Sequence, residues 1–153
     1  CPVVDADLDD LHATDFRPFV ALRDDAPWAM VAHLIFTRID AQRPASVSPL
    51  VCDFIRHELD YDGVIVTDCL TMEALSGTWP ERVTAALDAG YDIALHSQGD
   101  LAASQAAARA ARPLSEASRN RIARAQQKLG NKRVDVAALH AEVERIFTDN
   151  GLA

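Results

Sequence analysis

Three short apolar runs, each stopped by a polar side chain, constrain this chain more than any other feature. They occupy residues 28–33, 63–68 and 92–96, and they end in His33, Asp68 and His96. In the middle run, Val64, Ile65 and Val66 follow one another without polar alternation, the pattern of a strand buried on both faces of a parallel sheet. Each run is followed by residues with helical spacing, and the repeat of roughly 30 residues matches βα units wound in one direction. The expected class is therefore α/β. Ligands of such folds bind at the carboxyl ends of the strands, so three polar groups delivered there mark a candidate site. Asp68 taken alone is equally well placed to cap a following helix, since aspartate is a favoured N-cap.

The intervening segments fill in the units. Residues 1–12 read as an irregular lead-in whose acidic run (Asp5, Asp7, Asp9, Asp10) lacks the glycine and terminal glutamate of an EF-hand. Thr14 is a candidate cap for a helix reaching Leu22, and residues 37–47 read as a loop. Ser48-Pro49 pairs a capping hydroxyl with a proline at the first helical position, and Leu50, Phe54, Ile55 and Leu59 then recur at helical spacing. A short helical turn is expected over 71–75. A helix from Pro80 to Asp88 follows, with Gly90 just past its end. Helices are expected over 101–112, 115–129 (with Gly130 beyond) and 135–148. The last places Val136, Leu139, Val143, Ile146 and Phe147 on one face, which reads as a core-packing surface.

Three parallel strands do not close a sheet, and a complete eight-fold barrel takes about 250 residues. With 153 residues, the chain reads as a part, completed by strands in another segment or by a second copy. The net charge of −8 argues against nucleic acid or an anionic membrane as partner, because both call for a basic face. Cys1, Cys52 and Cys69 match no zinc or disulfide spacing and fit a reducing compartment. No membrane span or signal peptide is read, which points to the cytoplasm. No cofactor or metal is expected.

Several stretches in order resemble the glycoside hydrolase family 3 β-N-acetylhexosaminidases of bacterial peptidoglycan recycling. They are Phe16-Arg-Pro-Phe19, Met30-Val-Ala-His33, Arg43-Pro-Ala-Ser-Val-Ser48, Phe54-Ile-Arg-His-Glu-Leu59, Asp62-Gly-Val-Ile-Val-Thr-Asp68-Cys-Leu-Thr-Met72 and Ala89-Gly-Tyr-Asp-Ile-Ala-Leu95. The resemblance covers nearly everything to about residue 98 and, more loosely, the C-terminal helices. It implies the C-terminal part of a single TIM-type (β/α)8 barrel, about three βα units plus C-terminal helices, with the N-terminal strands outside this chain. By the same resemblance Asp68 matches the catalytic nucleophile of a retaining exo-β-N-acetylglucosaminidase acting on muropeptides, and Met72 and His33 are candidates for binding substrate. The acid/base would be a histidine on a loop of the earlier strands, and no histidine here matches it. The partners implied are a saccharide containing N-acetylglucosamine and the N-terminal half of the barrel.

Relatives usually carry a second acidic residue after the nucleophile; here that position is Cys69. Its thiol could be mistaken for the nucleophile, but the match favours Asp68, and cysteine is among the residues most often buried. Two other readings stay open. One is a half-barrel that binds sugar without turnover. The other is a family 3 enzyme acting on glucosides or xylosides.

Overall fold

A computed structural model describes residues 1–97, 99–129 and 135–150. In chain order the elements are strand β1 (Val3–Val4), helix α1 (Leu8–Ala13), helix α2 (Arg17–Leu22), strand β2 (Trp28–Val31), strand β3 (Ile35–Phe36), helix α3 (Pro49–His57), strand β4 (Val64–Thr67), and helices α4 (Trp79–Asp88), α5 (Leu101–Ala110), α6 (Glu116–Leu129) and α7 (Val136–Asp149). A 3-10 turn, Ala45–Val47, precedes α3. No helix among the described residues is long and apolar enough to cross a membrane.

The α/β expectation holds, and the strands pair in parallel. Trp28, Ala29, Met30 and Val31 of β2 lie opposite Val64, Ile65, Val66 and Thr67 of β4. The third expected strand is reduced to a single parallel bridge between Val66 and Ile93. It still runs beside β4, because Thr67 N–H donates to Ile93 O at 3.0 Å and Leu70 N–H to Leu95 O at 2.9 Å. The lead-in expected over 1–12 is instead ordered: Val3 and Val4 pair in parallel with Ile35 and Phe36, and α1 follows. That pairing, more than thirty residues away in sequence, has no local signature.

Thr14 caps no helix N-terminus; it follows the last residue of α1, and α2 begins after Phe16 with Pro18 in its first turn. Residues 71–75 form turns and no helix. Two starts are as expected. Ser48 Oγ accepts from Val51 N–H and caps α3, with Pro49 in the first turn. At α4, Thr78 and Glu81 form a reciprocal capping box. Gly90 beyond α4 has φ +101°, a conformation that glycine adopts without strain. Gly130 lies outside the described residues.

The main core joins α3 to the sheet: Val31, Val51, Cys52, Tyr61, Ile65, Ala89 and Tyr91 are buried together. The inward stripe of α3 is Val51 and Cys52, with Ile55 packed against the same cluster, whereas Leu50 is 56% exposed. A second cluster packs α4 against α5 and takes in Leu70 and Leu75, which anchors the loop after β4. The face of α7 expected to pack into the core does not do so: Val136, Leu139, Val143, Ile146 and Phe147 are all exposed and the helix buries no residue. Amphipathicity marks a face that can be buried, and these residues supply no surface to cover it.

Along the far edge of β2 no strand pairs among the described residues. An apolar groove of about 700 Å³ runs there, lined by Phe16, Phe19, Leu22, Trp28, Met30 and Leu34 among others. Met30 is 58% exposed in it.

Candidate active site

At the carboxyl end of β4 the backbone leaves the sheet under restraint from both sides. Asp68 N–H donates to Val31 O at 2.8 Å, continuing the ladder with β2 by one bond. On the other side, Thr67 is fully buried and its Oγ1 accepts from Leu95 N–H at 3.1 Å. The Asp68 carboxylate sits half-buried between these attachments. Its Oδ1 accepts from Cys69 N–H at 2.7 Å. Among the described residues no other side chain bonds to it, so Oδ2 is uncommitted. A carboxylate with one oxygen held and one open is oriented yet able to react.

The two histidines at the neighbouring strand ends differ. His33 is 4% exposed. Its Nε2 lies 2.8 Å from the Cys69 carbonyl oxygen and its Nδ1 2.6 Å from Ser46 Oγ. Both ring nitrogens are engaged by protein atoms, so in this structure neither is open to a sugar hydroxyl, and His33 holds the loop that carries Asp68. His96 packs edge-on against Trp79, ring centroids 6.0 Å apart, and its Nε2 is buried without a hydrogen-bond partner among the described residues.

Met72 is 46% exposed on the loop beyond Asp68. Arg82 of α4 fixes this loop, donating to Leu70 O at 2.7 Å and to Met72 O at 3.2 Å while lying 4.7 Å from the centroid of the Trp79 ring. Sequence reasoning missed Arg82 because its acceptors are backbone carbonyls, which carry no residue signature.

Cys69 is 9% exposed and turns away from solvent. Ser97 Oγ donates to its sulfur at 2.8 Å, and Thr71 Oγ1 lies 3.0 Å away. Burial acts to raise its pKa, but hydrogen bonds from Ser97 and Thr71 outweigh burial and hold the thiol below its ordinary value. Among the described residues no group of three or more His, Cys, Asp and Glu side chains is placed to hold a metal ion.

The sequence profile of the glycosyl hydrolase family 3 N-terminal domain matches residues 1–148. The chain belongs to that family. A beta-hexosaminidase of Methylococcus capsulatus is 40% identical over 91 residues, which is 57% of this chain and 27% of that protein. One of Bordetella pertussis is 41% identical over 91 residues, 58% of this chain and 26% of that protein. A family 3 β-N-acetylglucosaminidase from a Paenibacillus species superposes with a TM-score of 0.74 at 29% identity, covering 88% of this chain and 29% of the other. This family 3 chain thus spans little more than a quarter of the length of these relatives. Its fold is part of a TIM-type α/β barrel, with the β2–β4 pair as neighbouring barrel strands.

Proposed function

We propose that this family 3 chain carries the nucleophile of a retaining exo-β-N-acetylglucosaminidase, and that the nucleophile is Asp68. The observation that carries the reading is the half-buried carboxylate at the end of β4, with one oxygen held by Cys69 N–H and the other without a partner among the described residues. In a retaining glycosidase such an oxygen attacks the anomeric carbon through an oxocarbenium-like transition state and forms a covalent glycosyl-enzyme. An acid/base first protonates the leaving oxygen and then activates the water that releases the sugar. Names of relatives support the substrate class: two are beta-hexosaminidases and a solved neighbour is a β-N-acetylglucosaminidase, and we infer a terminal N-acetylhexosaminide. Muropeptides in the cytoplasm are the natural substrate we infer, with Met72, exposed on the loop beyond Asp68, as the side chain we take to touch the sugar.

The acid/base and most sugar-gripping groups would come from the strands that complete the barrel. The open edge of β2 and the apolar groove beside it are where those strands would pair and pack. Unpaired strand edges and apolar grooves of this size are normally covered. A second reading, a half-barrel that binds sugar without turnover, draws support from one observation: among the described residues no titratable side chain hydrogen bonds to Asp68.

A mechanism-based 5-fluoro N-acetylglucosaminyl fluoride, which keeps the 2-acetamido group, decides between them. Incubated with the complete barrel protein and digested, it should leave its mass on the peptide containing Asp68. Label on another carboxylate would overturn the assignment, and absence of both label and turnover would favour the binding reading. Comparison of aryl N-acetylglucosaminide with aryl glucoside and xyloside tests the 2-acetamido preference.

A further inference from the structure

We propose that His33 is a positioning residue for the nucleophile: as the Nε2–H tautomer it clamps the Cys69 carbonyl and thereby fixes the backbone that aims the Asp68 carboxylate. This deepens the reading of Asp68 as nucleophile and rests on it. A carbonyl oxygen only accepts, so at 2.8 Å from Cys69 O the His33 Nε2 must carry the proton. In the neutral ring Nδ1 is then the acceptor, and Ser46 Oγ at 2.6 Å supplies its hydroxyl proton. Both bonds are buried: His33 is 4% and Ser46 0% exposed. Neither can be exchanged for a bond to water at no cost, because a buried polar group that loses its partner keeps its desolvation penalty.

What the clamp holds follows from the ladder. The last backbone bond between β2 and the chain leaving β4 is Asp68 N–H to Val31 O, at 2.8 Å. Two residues further along β2's course, the side chain of His33 makes the next attachment. Cys69 is therefore gripped at both ends, its N–H by Asp68 Oδ1 at 2.7 Å and its carbonyl by His33. Without His33 the Cys69 carbonyl keeps only the turn bond from Met72 N–H at 3.1 Å, which belongs to the same loop and ties it to neither neighbouring strand. Residue 69 can then shift with its loop, and the N–H that orients Oδ1 shifts with it.

The far end of the relay is itself rigid. Ser46 sits in the 3-10 turn, where Ala45 N–H donates to Leu34 O at 2.7 Å and Tyr91 Oη donates to Ala45 O at 2.5 Å. Asp40 ties the loop internally: its Oδ1 accepts from Gln42 and Arg43 N–H at 3.0 and 3.2 Å, and its Oδ2 from Ser48 Oγ at 2.7 Å. Order in the 40–48 loop thus passes through Ser46 and His33 to the nucleophile.

The test uses kcat and KM of the complete barrel protein on an aryl N-acetyl-β-glucosaminide, with NMR of the same variants. His33→Leu should lower kcat on the order of 100-fold, the scale set by a misplacement of about 1 Å, while KM stays within about threefold. His33→Gln, whose amide can donate to Cys69 O, should recover kcat to within about tenfold of wild type. Ser46→Ala should fall between the two. In NMR, the His33 ring nitrogen bearing the proton should be Nε2. The Cys69 amide proton, shifted downfield by the Asp68 carboxylate, should move upfield in His33→Leu and much less in His33→Gln.

Unchanged kcat in His33→Leu would overturn the proposal, as would a rise confined to KM, which would make His33 a substrate contact, or a neutral ring whose one proton is on Nδ1, leaving Nε2 bare beside Cys69 O. If His33→Leu fails to fold, His33→Gln and Ser46→Ala carry the same comparison. Should wild type prove inactive and resist the fluorosugar, the nucleophile reading falls, while the tautomer and the Cys69 amide still decide what His33 holds.

Discussion

Two aspartates at strand ends, Asp68 and Asp92, look alike in sequence and are opposites in the fold. Asp68, at the exit of β4, keeps one oxygen on a neighbouring N–H and leaves the other uncommitted. Asp92, at the entrance of the third run, is 2% exposed and spends both oxygens. Its Oδ2 accepts from Arg56 at 2.7 Å and from Ile65 N–H at 2.9 Å, and its Oδ1 accepts from Ser118 at 2.7 Å and from Arg121 at 3.1 Å. A saturated, buried carboxylate joins α3, β4 and α6 and has nothing left for chemistry. The unsaturated one contributes little to holding the fold. The number of lone pairs a carboxylate keeps free separates a structural group from a reactive one.

The largest expected effect is on activity at the upper end. Asp68→Ala should reduce hydrolysis of an aryl N-acetyl-β-glucosaminide on the order of 10⁴-fold or more, as loss of a nucleophile does, with Tm nearly unchanged. Full activity in that variant would end the comparison.

Next comes stability at the lower end. Asp92→Ala strands two guanidinium groups and should cost about 3–5 kcal/mol in denaturant unfolding. Activity per folded molecule should stay near wild type. The same carboxyl gives a pH dependence. Burial acts to raise the pKa of Asp92, but bonds from Ile65 N–H and Ser118 and the charges of Arg56 and Arg121 outweigh it, holding the folded value below the ordinary 3.8. Its contribution is therefore complete above pH 3.8 and is lost as the pH falls through the lowered folded value. Acid unfolding curves of wild type and Asp92→Asn should converge in that window; parallel curves would remove Asp92 from the ledger.

Smaller, and also on the lower side, Gly90→Ala should destabilise by about 1–3 kcal/mol. Its φ is +101° and an added Cβ would lie 3.1 Å from Cys52 Sγ. A shift in Tm below one degree would refute that reading. The two inner thiols sharpen the contrast further. Burial raises the pKa of Cys52, whereas hydrogen bonds lower that of Cys69 against burial. After exposed Cys1, iodoacetamide at pH 8 should reach Cys69 well before Cys52, as read by peptide mass spectrometry. The smallest effect is expected at Arg124, whose pairing with the exposed Asp62 should contribute about 0–1 kcal/mol. An Arg124→Ala loss above 2 kcal/mol would show that the rim is part of the buried network.

Much of the fold was legible because its signals are local. The Ser48-Pro49 start of α3 and the Pro80 start of α4 act within one helical turn, and the β-branched run of 64–66 declares its own burial. What was misjudged depended on distant partners. Residues 3–4 became a strand only because residues 35–36 lie alongside. The apolar face of α7 finds no surface to cover it among the described residues.

The sequence by itself determined the α/β class, buried strands near 28 and 63 followed by helices, and the placing of Asp68 at a strand's carboxyl end, because periodicity and capping act over a few residues. Only the tertiary structure decided that Asp68 keeps an open oxygen while Asp92 keeps none, and that His33 faces inward. Those outcomes turn on hydrogen-bond partners as far as 36 residues away, and no local pattern encodes which donors the fold brings to a carboxylate.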